Sequence, residues 1–498
     1  GRVHSEGEGM RHAPQSKGGV VAPRSSWVFR VSVLLGQLLV VAVFVWLFVA
    51  LRTTLFPSPP AERQVPSSEG VTDLWVDSSR HRDIIKAALR FDEELRQLHA
   101  SKRYDAPQLQ VMSGGITNKL FKVTVGPKSS LVRIYGDGTD TFMDRKREVS
   151  VIRSLAHSGL AAPLHGTFKN GFVADFVVGR TLKTAELSSL RYGALIAKQL
   201  ALLHEHKPAF ADLQPPPATS PEVFRLFDHL WGIVDQAVAS NPSFAADIAD
   251  IPVDLFRKDM EEVKARWMSK LRAKALQEEM QAQRGDSVQS APQRASRLGP
   301  WVTVEQRNLV LSHNDLLAGN ILVEEEEQEE GEEGRAVQKL TFLDFEYAGW
   351  NPAVYDLANH WHEFCGFNEN MTWFPDRDVR TAYLDAYLSA RFEARPHDPL
   401  TRPTPEMLRS WLLEVSDFLM APNSFWGVWA LVQHLHSDLE FDYLSYARWR
   451  SQDMRAFLQQ VIQEDRASFL NDTWYEAAKP RRFNLSVADL HRKFSSSP

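Results

Sequence analysis

The chain has 498 residues, of which 24% are charged and 44% hydrophobic, and its formal net charge is −6. This composition excludes a wholly disordered protein, a collagen-like fibre and a polytopic membrane protein. A glutamate run within 324–335 supplies the acidic excess, and the rest of the chain has no basic excess that would indicate a nucleic-acid partner. The single cysteine, Cys365, excludes an intrachain disulfide and is typical of a reducing compartment.

The N-terminal quarter begins with polar sequence and then becomes strongly apolar. Residues 1–30 are rich in Gly, Ser and Arg, and we expect them to be disordered. Residues 31–51 carry no charge and can cross ~30 Å of hydrocarbon at ~1.5 Å per residue, which predicts a transmembrane anchor. A cleaved signal peptide and a buried core helix are the alternatives, although this stretch exceeds the ~7–15 apolar residues of a signal peptide. Prolines and serines in 52–79 predict a stiff linker.

Short β-rich runs interrupted by one helix follow the linker. The predicted elements, in chain order, are a helix over 80–100, strands at 109–112, 120–125 and 131–135, a helix over 141–157, and a strand pair at 163–168 and 171–177. We assign residues 80–180 to a small N-terminal lobe that is rich in β-strands.

The remainder of the chain is predominantly helical. Helices are predicted over 185–206 and most of 223–283, and strands at 309–311, 321–323 and 340–343. These elements form a C-terminal lobe over 181–480 with insertions near 281–300 and 324–335, followed by a tail over 481–498. A small β-rich lobe before a large helical one predicts an α+β, bilobal, protein-kinase-like fold. A metal-binding role for the glutamates is disfavoured, because like charges in a row repel and stay solvated.

Two motifs in the larger lobe contain the residues that phosphoryl transfer needs. Asp315 and Asn320 lie in one predicted loop between strands, and Asp344 ends a later strand. In kinase-like folds one carboxylate accepts the substrate proton, while an Asn and a second Asp hold Mg²⁺ against the nucleotide phosphates. A single Asp in a turn would be simple capping. The two motifs together predict an ATP-dependent phosphotransferase.

Several segments occur in a fixed order along the chain: Ser113–Asn118, Leu131–Gly136, Asp144–Glu148, His313–Asn320, Leu343–Asn351, Tyr355–Phe364, Phe425–Trp429 and Glu440–Tyr446. Together they resemble the choline/ethanolamine kinase family over residues 105–460. The resemblance implies a kinase-like fold, with ATP and Mg²⁺ as cofactors. It also implies a small cationic alcohol as the substrate.

The resemblance assigns roles to the residues of the two motifs. It implies that Asp315 orients and deprotonates the substrate hydroxyl. Asn320 and Asp344 would bind Mg²⁺, with Glu346 as a weaker candidate for a second metal, because hard oxygen ligands suit this ion.

The resemblance also implies a set of nucleotide-binding residues, namely Ser113, Gly114, Gly115, Asn118, Arg133 and Glu148. Glycines without side chains would let backbone N–H groups approach the phosphates, although an ordinary hairpin turn is the simpler interpretation of that motif alone. Arg133 would bind phosphate oxygens and pair with Glu148. An isolated Arg–Glu pair is more often a surface salt bridge of little energetic value.

The residues implied to bind the amino-alcohol are Asp356, Glu363, Trp426, Trp429, Phe441 and Tyr446. Aromatic faces attract ammonium groups by ~0.5–2 kcal/mol each. Helical spacing alone would assign Trp426 and Trp429 to the core, and only the resemblance favours a binding role.

Finer features resemble the ethanolamine branch of the family, namely Ile116-Thr117, Leu316-Leu317, Ala348-Gly349 and the short Cys365–Phe367 segment. Ala318-Gly319 and Trp350 depart from it. We therefore expect phosphorylation of ethanolamine to phosphoethanolamine, the first step of the CDP-ethanolamine route to phosphatidylethanolamine. A choline or dual-specificity kinase is the alternative, and a homodimer is an open possibility.

Two further interpretations come from other functional classes. An aminoglycoside-type phosphotransferase would share the Asp/Asn/Asp set, but we would not expect it to contain the segment around Trp426 and Trp429. A membrane-anchored pseudokinase scaffold is disfavoured, because Asp315, Asn320 and Asp344 are all present.

Two arguments disagree about the orientation of the anchor. Arg11, Lys17, Arg24 and Arg30 precede the span, whereas Arg52 and Arg63 follow it at comparable distance, which favours a cytoplasmic N-terminus. ATP-dependent chemistry instead requires the kinase domain to face the cytosol. We follow the chemistry and predict a single-pass membrane protein with a cytosolic catalytic domain.

Overall fold

The computed structural model describes residues 73–112, 118–136, 144–208, 210–283, 309–325, 337–367, 369–395, 402–437 and 440–470. All of them belong to one compact unit, residues 70–498. The predicted anchor, the disordered N-terminus and the predicted tail lie outside the described residues, as does most of the linker. Within the described ranges, no helix is both long and apolar enough to span a membrane.

The smaller lobe is an antiparallel sheet covered by helices. Its elements are α1 (His81–Phe91), α2 (Glu93–Ala100), β1 (Gln108–Met112), β2 (Asn118–Val125), β3 (Lys128–Tyr135), α3 (Arg145–His157), β4 (Leu164–Phe168) and β5 (Gly171–Asp175). The strand order is β1-β2-β3-β5-β4, and every neighbouring pair is antiparallel. The five strands predicted for this lobe are therefore confirmed, with bounds that differ by a few residues.

The single helix predicted over 80–100 is wrong in one respect, because Asp92 divides it into α1 and α2. The backbone of Asp92 is extended, and its Oδ1 accepts a hydrogen bond from Leu95 N and so caps α2. Its Oδ2 accepts from Ser130 Oγ on β3 at 2.6 Å. This buried contact fastens the helix pair to the sheet, and a continuous helix could not make it.

Helices dominate the larger lobe. Its helices are α4 (Leu190–Glu205), α5 (Glu222–Ser240), α6 (Pro242–Asp247), α7 (Asp254–Gln283), α8 (Ala353–His362), α9 (Arg377–Glu393), α10 (Pro405–Phe418), α11 (Met420–His436), α12 (Tyr443–Trp449) and α13 (Arg455–Leu470). Its short strands are β6 (Arg180–Thr181), β7 (Leu309–Ser312), β8 (Ile321–Glu325), β9 (Val337–Phe342) and β10 (Gly349–Pro352). A π-helical turn over Arg450–Met454 joins α12 to α13.

The short strands pair in two small sheets, and these sheets hold the loops that follow them. Strand β8 lies between β6 and β9, while β10 pairs with β7, all antiparallel. The sequence analysis missed β6 and β10, because each depends on a distant partner. The antiparallel β8–β9 pair brackets the predicted insertion near 324–335, most of which lies outside the described residues.

Each lobe has its own hydrophobic core. In the smaller lobe, Ile84 and Ala88 of α1 pack with Val123 and Val132 of the sheet. In the larger lobe the core includes the fully buried rings of Trp267, Trp361 and Trp411. The mixed helix and sheet composition and the two-lobed plan agree with the predicted protein-kinase-like fold.

Candidate active site

The loop after β7 presents Asp315. Asn314 has a positive φ of 66°, which turns the chain sharply before Asp315. Asn320 ends a short turn of 3₁₀ helix, and its Nδ2 donates to the backbone oxygen of Asp315 at 2.8 Å and to Oδ2 at 3.0 Å. These bonds orient the Asp315 carboxylate. They leave Oδ1 of Asn320 as the atom that could bind a metal.

Burial raises the pKa of Asp315 well above its usual value, and the negative charges of Glu363, Asp344 and Glu346 raise it further. A carboxylate with a raised pKa is a stronger base. Asp315 therefore has the position and the chemistry of a general base.

Asp356 lies behind this loop and does not face the substrate side. Its side chain is fully buried, and its oxygens accept from the backbone N–H groups of His313 at 2.7 Å and Asn314 at 2.8 Å. His204 Nε2 adds a third contact at 2.9 Å. The expectation that Asp356 binds the amino-alcohol is therefore wrong. Both of its carboxylate oxygens already accept hydrogen bonds from the loop that carries Asp315.

Three carboxylates converge at the mouth of the cleft between the lobes. Oxygens of Glu148, Asp344 and Glu346 all lie within 4.8 Å of one another, and we call these residues the catalytic carboxylate cluster. Asp344 has a positive φ of 61°, an uncommon backbone for a non-glycine residue that the surrounding structure must enforce.

Arg133 of β3 lies among the three carboxylates. Its guanidinium contacts Asp344 Oδ1 at 2.7 Å, Glu346 Oε2 at 2.9 Å and Glu148 Oε1 at 3.3 Å. Burial opposes the charge of Arg133, but the three carboxylates outweigh it and raise its pKa above the usual value. The expected pairing of Arg133 with Glu148 is present in this arrangement.

Arg145, at the start of α3, is a second cation that the sequence analysis missed. Its Nη1 donates to Glu148 Oε2 at 3.0 Å and to Glu346 Oε2 at 2.9 Å, and its guanidinium lies 4.4 Å from the ring centre of Tyr135. The position three residues before Glu148 was the available signal. From the predicted phosphate loop, Asn118 Nδ2 also donates to Glu346 at 3.2 Å, whereas residues 113–117 lie outside the described residues.

The carboxylate cluster fits a divalent cation by its chemistry. Three hard oxygen donors face two arginines, so the group carries an excess negative charge that a cation would offset. The sequence analysis proposed Asn320, Asp344 and Glu346 as ligands. The structure brings Asp344 and Glu346 together with Glu148, while the side chain of Asn320 is bonded to Asp315.

An aromatic wall adjoins the cluster, as the resemblance implied. The rings of Trp426 and Trp429 on α11 are 5.3 Å apart at 80°. Trp426 Nε1 donates to Asn359 Oδ1 at 2.7 Å, and Trp429 Nε1 donates to Tyr347 Oη at 2.9 Å, so both rings are fixed. Tyr347, which follows Glu346 directly, was missed although it lies within a recognised motif.

Phe441 and Tyr446 extend this wall, with centroids 5.9 Å apart. Phe367, another residue that the sequence analysis did not select, lies 5.8 Å from Phe441 and 6.2 Å from Tyr446. Phe367 is 46% exposed and Phe441 36%, whereas Tyr446 is buried. The exposed rings therefore form the rim of the wall.

Glu363 supplies the acidic group near these rings. Burial raises its pKa to about 7, and the nearby Arg450 opposes the increase. Arg450 begins the π-helical turn and donates to Tyr446 Oη. Turns of this kind are frequent at functional sites. Glu363 is therefore poised to change charge near neutral pH.

The linker after β5 offers free backbone groups. No hydrogen bond involves the backbone of Val177 or Val178 within the part of the chain that the structure describes. Backbone N–H and C=O groups of this kind can form hydrogen bonds with the polar edge of a nucleotide base. A cavity of about 300 Å³ beside the cleft joins Glu148 and Glu346 to Tyr347 and Trp429, so the acidic and aromatic groups share one opening.

Known proteins resemble this chain in sequence and in fold. The family model described as choline/ethanolamine kinase matches residues 109–454. The chain belongs to this family. The resemblance found in the sequence is thereby confirmed, and the protein is a kinase-family enzyme.

Individual relatives agree with this assignment. Ethanolamine kinase 1 of Mus musculus is 30% identical over 396 residues, which are 78% of this chain and 92% of the mouse protein. A probable ethanolamine kinase of Nematostella vectensis is 30% identical over 338 residues, 67% of this chain and 82% of that protein.

Solved structures show the same fold. An ethanolamine kinase of Plasmodium vivax matches with a TM-score of 0.53 at 24% identity, covering 71% of this chain and 83% of that chain. A choline kinase of Cryptosporidium parvum matches with a TM-score of 0.54 at 20% identity, covering 77% and 97% respectively.

Proposed function

We propose that this kinase transfers a phosphoryl group from ATP to ethanolamine and yields phosphoethanolamine. The observation that carries the proposal is the cavity that joins Glu148 and Glu346 to Tyr347 and Trp429. An acid-rich cleft suits a metal-bound nucleotide, and an aromatic wall suits a small organic cation. The relatives that are named ethanolamine kinases support the choice of acceptor.

Different residues would accept the proton, bind the phosphates and hold the metal during phosphoryl transfer. Asp315 orients the substrate hydroxyl and accepts its proton, while Asn320 holds the carboxylate in place. Arg133 and Arg145 offer guanidinium donors for phosphate oxygens. Asp344 and Glu346, together with Glu148 or Asn320, would hold Mg²⁺, whose charge would offset that of the phosphates.

The acceptor side favours ethanolamine over choline in our proposal. A primary ammonium has three N–H donors, whereas a trimethylammonium has none. Glu363 and Asp315 provide carboxylates that can accept such donors. A choline or dual-specificity kinase is the second candidate, because the aromatic wall would also attract a quaternary ammonium.

One panel assay tests this proposal. Purified protein with Mg-ATP is offered ethanolamine, choline or an aminoglycoside, and Asp315→Asn serves as the inactive control. Transfer to ethanolamine with the highest kcat/KM supports the proposal. A preference for choline would replace it with the second candidate, and the absence of transfer to any acceptor would favour a pseudokinase.

We also propose that residues 31–51 anchor the protein and that the kinase domain faces the cytosol, where ATP is available. The apolar length of the span supports the anchor. Two sequons, Asn370-Met-Thr372 and Asn471-Asp-Thr473, serve as reporters, because glycosylation requires lumenal exposure. Glycans on native protein would contradict the cytosolic placement, and release by alkaline extraction would contradict the anchor. Light scattering would test whether the protein forms the homodimer that the sequence left open.

A further inference from the structure

A chain of buried hydrogen bonds connects helix α9 to the loop that carries Asp315. Asp356 holds the backbone of that loop, and His204 Nε2 contacts Asp356 Oδ2 at 2.9 Å. The other ring nitrogen of His204, Nδ1, lies 2.7 Å from Tyr387 Oη on α9. Arg391 Nη1 donates to the same hydroxyl at 3.0 Å.

The direction of each hydrogen bond follows from the chemistry of the groups. Burial opposes ionisation of Asp356, but hydrogen bonds and neighbouring charges keep its pKa below the usual value, so it is a carboxylate that only accepts. His204 must therefore carry its proton on Nε2, which leaves Nδ1 as an acceptor for the Tyr387 hydroxyl. Burial lowers the pKa of His204, which keeps the ring neutral.

The outer end of this chain is also anchored. The Tyr387 oxygen accepts from Arg391, whose Nε donates to Glu205 Oε1 at 2.6 Å. Burial raises the pKa of Tyr387 to about 12, so the hydroxyl keeps its proton at neutral pH. Each group thus donates to the next one: Arg391 donates to Tyr387, Tyr387 to His204, and His204 to Asp356.

We propose that Tyr387 and Arg391 are positioning residues that set the geometry of the Asp315 loop through His204 and Asp356. Neither of them belongs to the substrate-facing groups described above, since both are buried in α9. Loss of the Tyr387 hydroxyl would leave His204 Nδ1 buried without a donor, which is costly. The His204 ring would then be held at one nitrogen only, and the contact of Nε2 with Asp356 would lose its fixed geometry.

Helix α9 contains a matched control for this idea. Tyr383 lies one helical turn before Tyr387 and is similarly buried, but within the described residues its hydroxyl has no hydrogen-bond partner. Tyr387→Phe and Tyr383→Phe each remove one buried hydroxyl from the same helix. Only the first breaks the chain of hydrogen bonds.

The kinetic experiment compares these two variants in the full-length protein. Tyr387→Phe is expected to lower kcat about tenfold while the KM values for ATP and ethanolamine change less than about twofold. Tyr383→Phe is expected to match the wild type. Equal kcat values for the two variants would overturn the proposal, as would a loss that appears only in KM.

Hydrogen exchange provides a readout that needs no substrate. Tyr387→Phe should speed amide exchange in peptides that cover residues 311–320, and Tyr383→Phe should not. Should Tyr387→Phe fail to fold, Arg391→Gln tests the same chain from its outer end and should affect the same peptides. Unchanged exchange at 311–320 in a folded variant would refute the proposal.

The kinetic part rests on the proposed function, but the two can fail separately. If the wild type does not phosphorylate ethanolamine, the proposed function fails. The exchange comparison between Tyr387→Phe and Tyr383→Phe still decides whether α9 controls the loop.

Discussion

The described part of the chain contains two clusters of acidic groups with similar geometry, and the pKa values of their acids shift in opposite directions. One is the catalytic carboxylate cluster of Glu148, Asp344 and Glu346. The other, which we call the N-lobe ion cluster, consists of Asp92, Lys128, His165 and Asp175. In each, three potential metal ligands lie within 4.8 Å of one another.

The carboxylates of the N-lobe ion cluster already contact partners within the cluster. Lys128 Nζ lies 2.6 Å from Asp175 Oδ1, and His165 Nε2 lies 2.8 Å from the same oxygen and 3.2 Å from Asp92 Oδ2. Although burial opposes ionisation, hydrogen bonds from His165 and Lys128 lower the pKa of Asp175 to about 2. The Asp175 carboxylate is therefore stable as an anion without any ligand.

The pKa values of the acids in and around the catalytic carboxylate cluster shift upward instead. Burial raises the pKa of Glu148, and the pKa values of Asp315 and Glu363 are also raised. Arg133 and Arg145 do not offset this many acids. The comparison teaches that acids whose pKa burial has raised remain available to a cationic ligand, whereas an acid such as Asp175 is already satisfied by its own hydrogen-bond donors.

The largest expected effect is a loss of kcat on substitution of Asp344, the candidate metal ligand in the catalytic carboxylate cluster. Asp344→Ala should lower kcat by a factor of ~10³ or more, because the phosphates lose a protein-held counter-charge. The measurement is steady-state transfer to ethanolamine across a Mg²⁺ titration. Activity with an unchanged Mg²⁺ dependence would contradict the assignment of the metal site.

Asp315→Asn should have the next largest effect. The amide cannot accept the hydroxyl proton, so kcat should fall by ~10² or more while nucleotide affinity is retained. Turnover and equilibrium ATP binding measured on the same preparation check both parts. Wild-type turnover would remove Asp315 from the mechanism.

Glu363→Gln tests the part of the same acidic region that would bind the amino-alcohol. Loss of this carboxylate should raise the KM for ethanolamine about tenfold and leave the KM for ATP unchanged. In the wild type, kcat/KM for ethanolamine should fall as the pH drops below about 7, because Glu363 becomes protonated and loses its charge. The variant should lack this limb of the pH profile, and its persistence would assign the limb to another group.

The smallest effect is expected in the N-lobe ion cluster. Asp175→Asn should lower the free energy of unfolding by about 1–2 kcal/mol at pH 7, with kcat within about twofold of wild type. The folded pKa of Asp175 lies below its unfolded value, so this stabilisation is present above pH ~4 and lost as the pH falls toward 2. Denaturant unfolding of wild type and variant at pH 7 and pH 3 measures the decline. A difference that grows at pH 3 would contradict this account of the cluster.

Local sequence predicted much of the fold. The strands β1, β2 and β3 are short alternating segments bounded by turns, and that pattern needs no distant partner to be visible. The break at Asp92 escaped prediction, because its cause is Ser130, a residue far along the chain. The strands β6 and β10 escaped for the same reason.

The sequence by itself determined the reaction chemistry, since Asp315, Asn320 and Asp344 are recognisable from residue type and spacing in two contiguous motifs. Only the tertiary structure decided which acids face a ligand. Asp356 looked equivalent to Glu363 in the sequence. In the structure, however, the Asp356 carboxylate accepts hydrogen bonds from backbone N–H groups, whereas the Glu363 carboxylate stays available to a cation. Arg145 gained its role through a contact with Glu346 in the other lobe, and Tyr347, in the turn before β10, gained its role through a contact with Trp429 on α11. Burial and partner geometry depend on residues that are distant in the chain, and these properties decide whether a charged side chain stabilises the fold or serves the reaction.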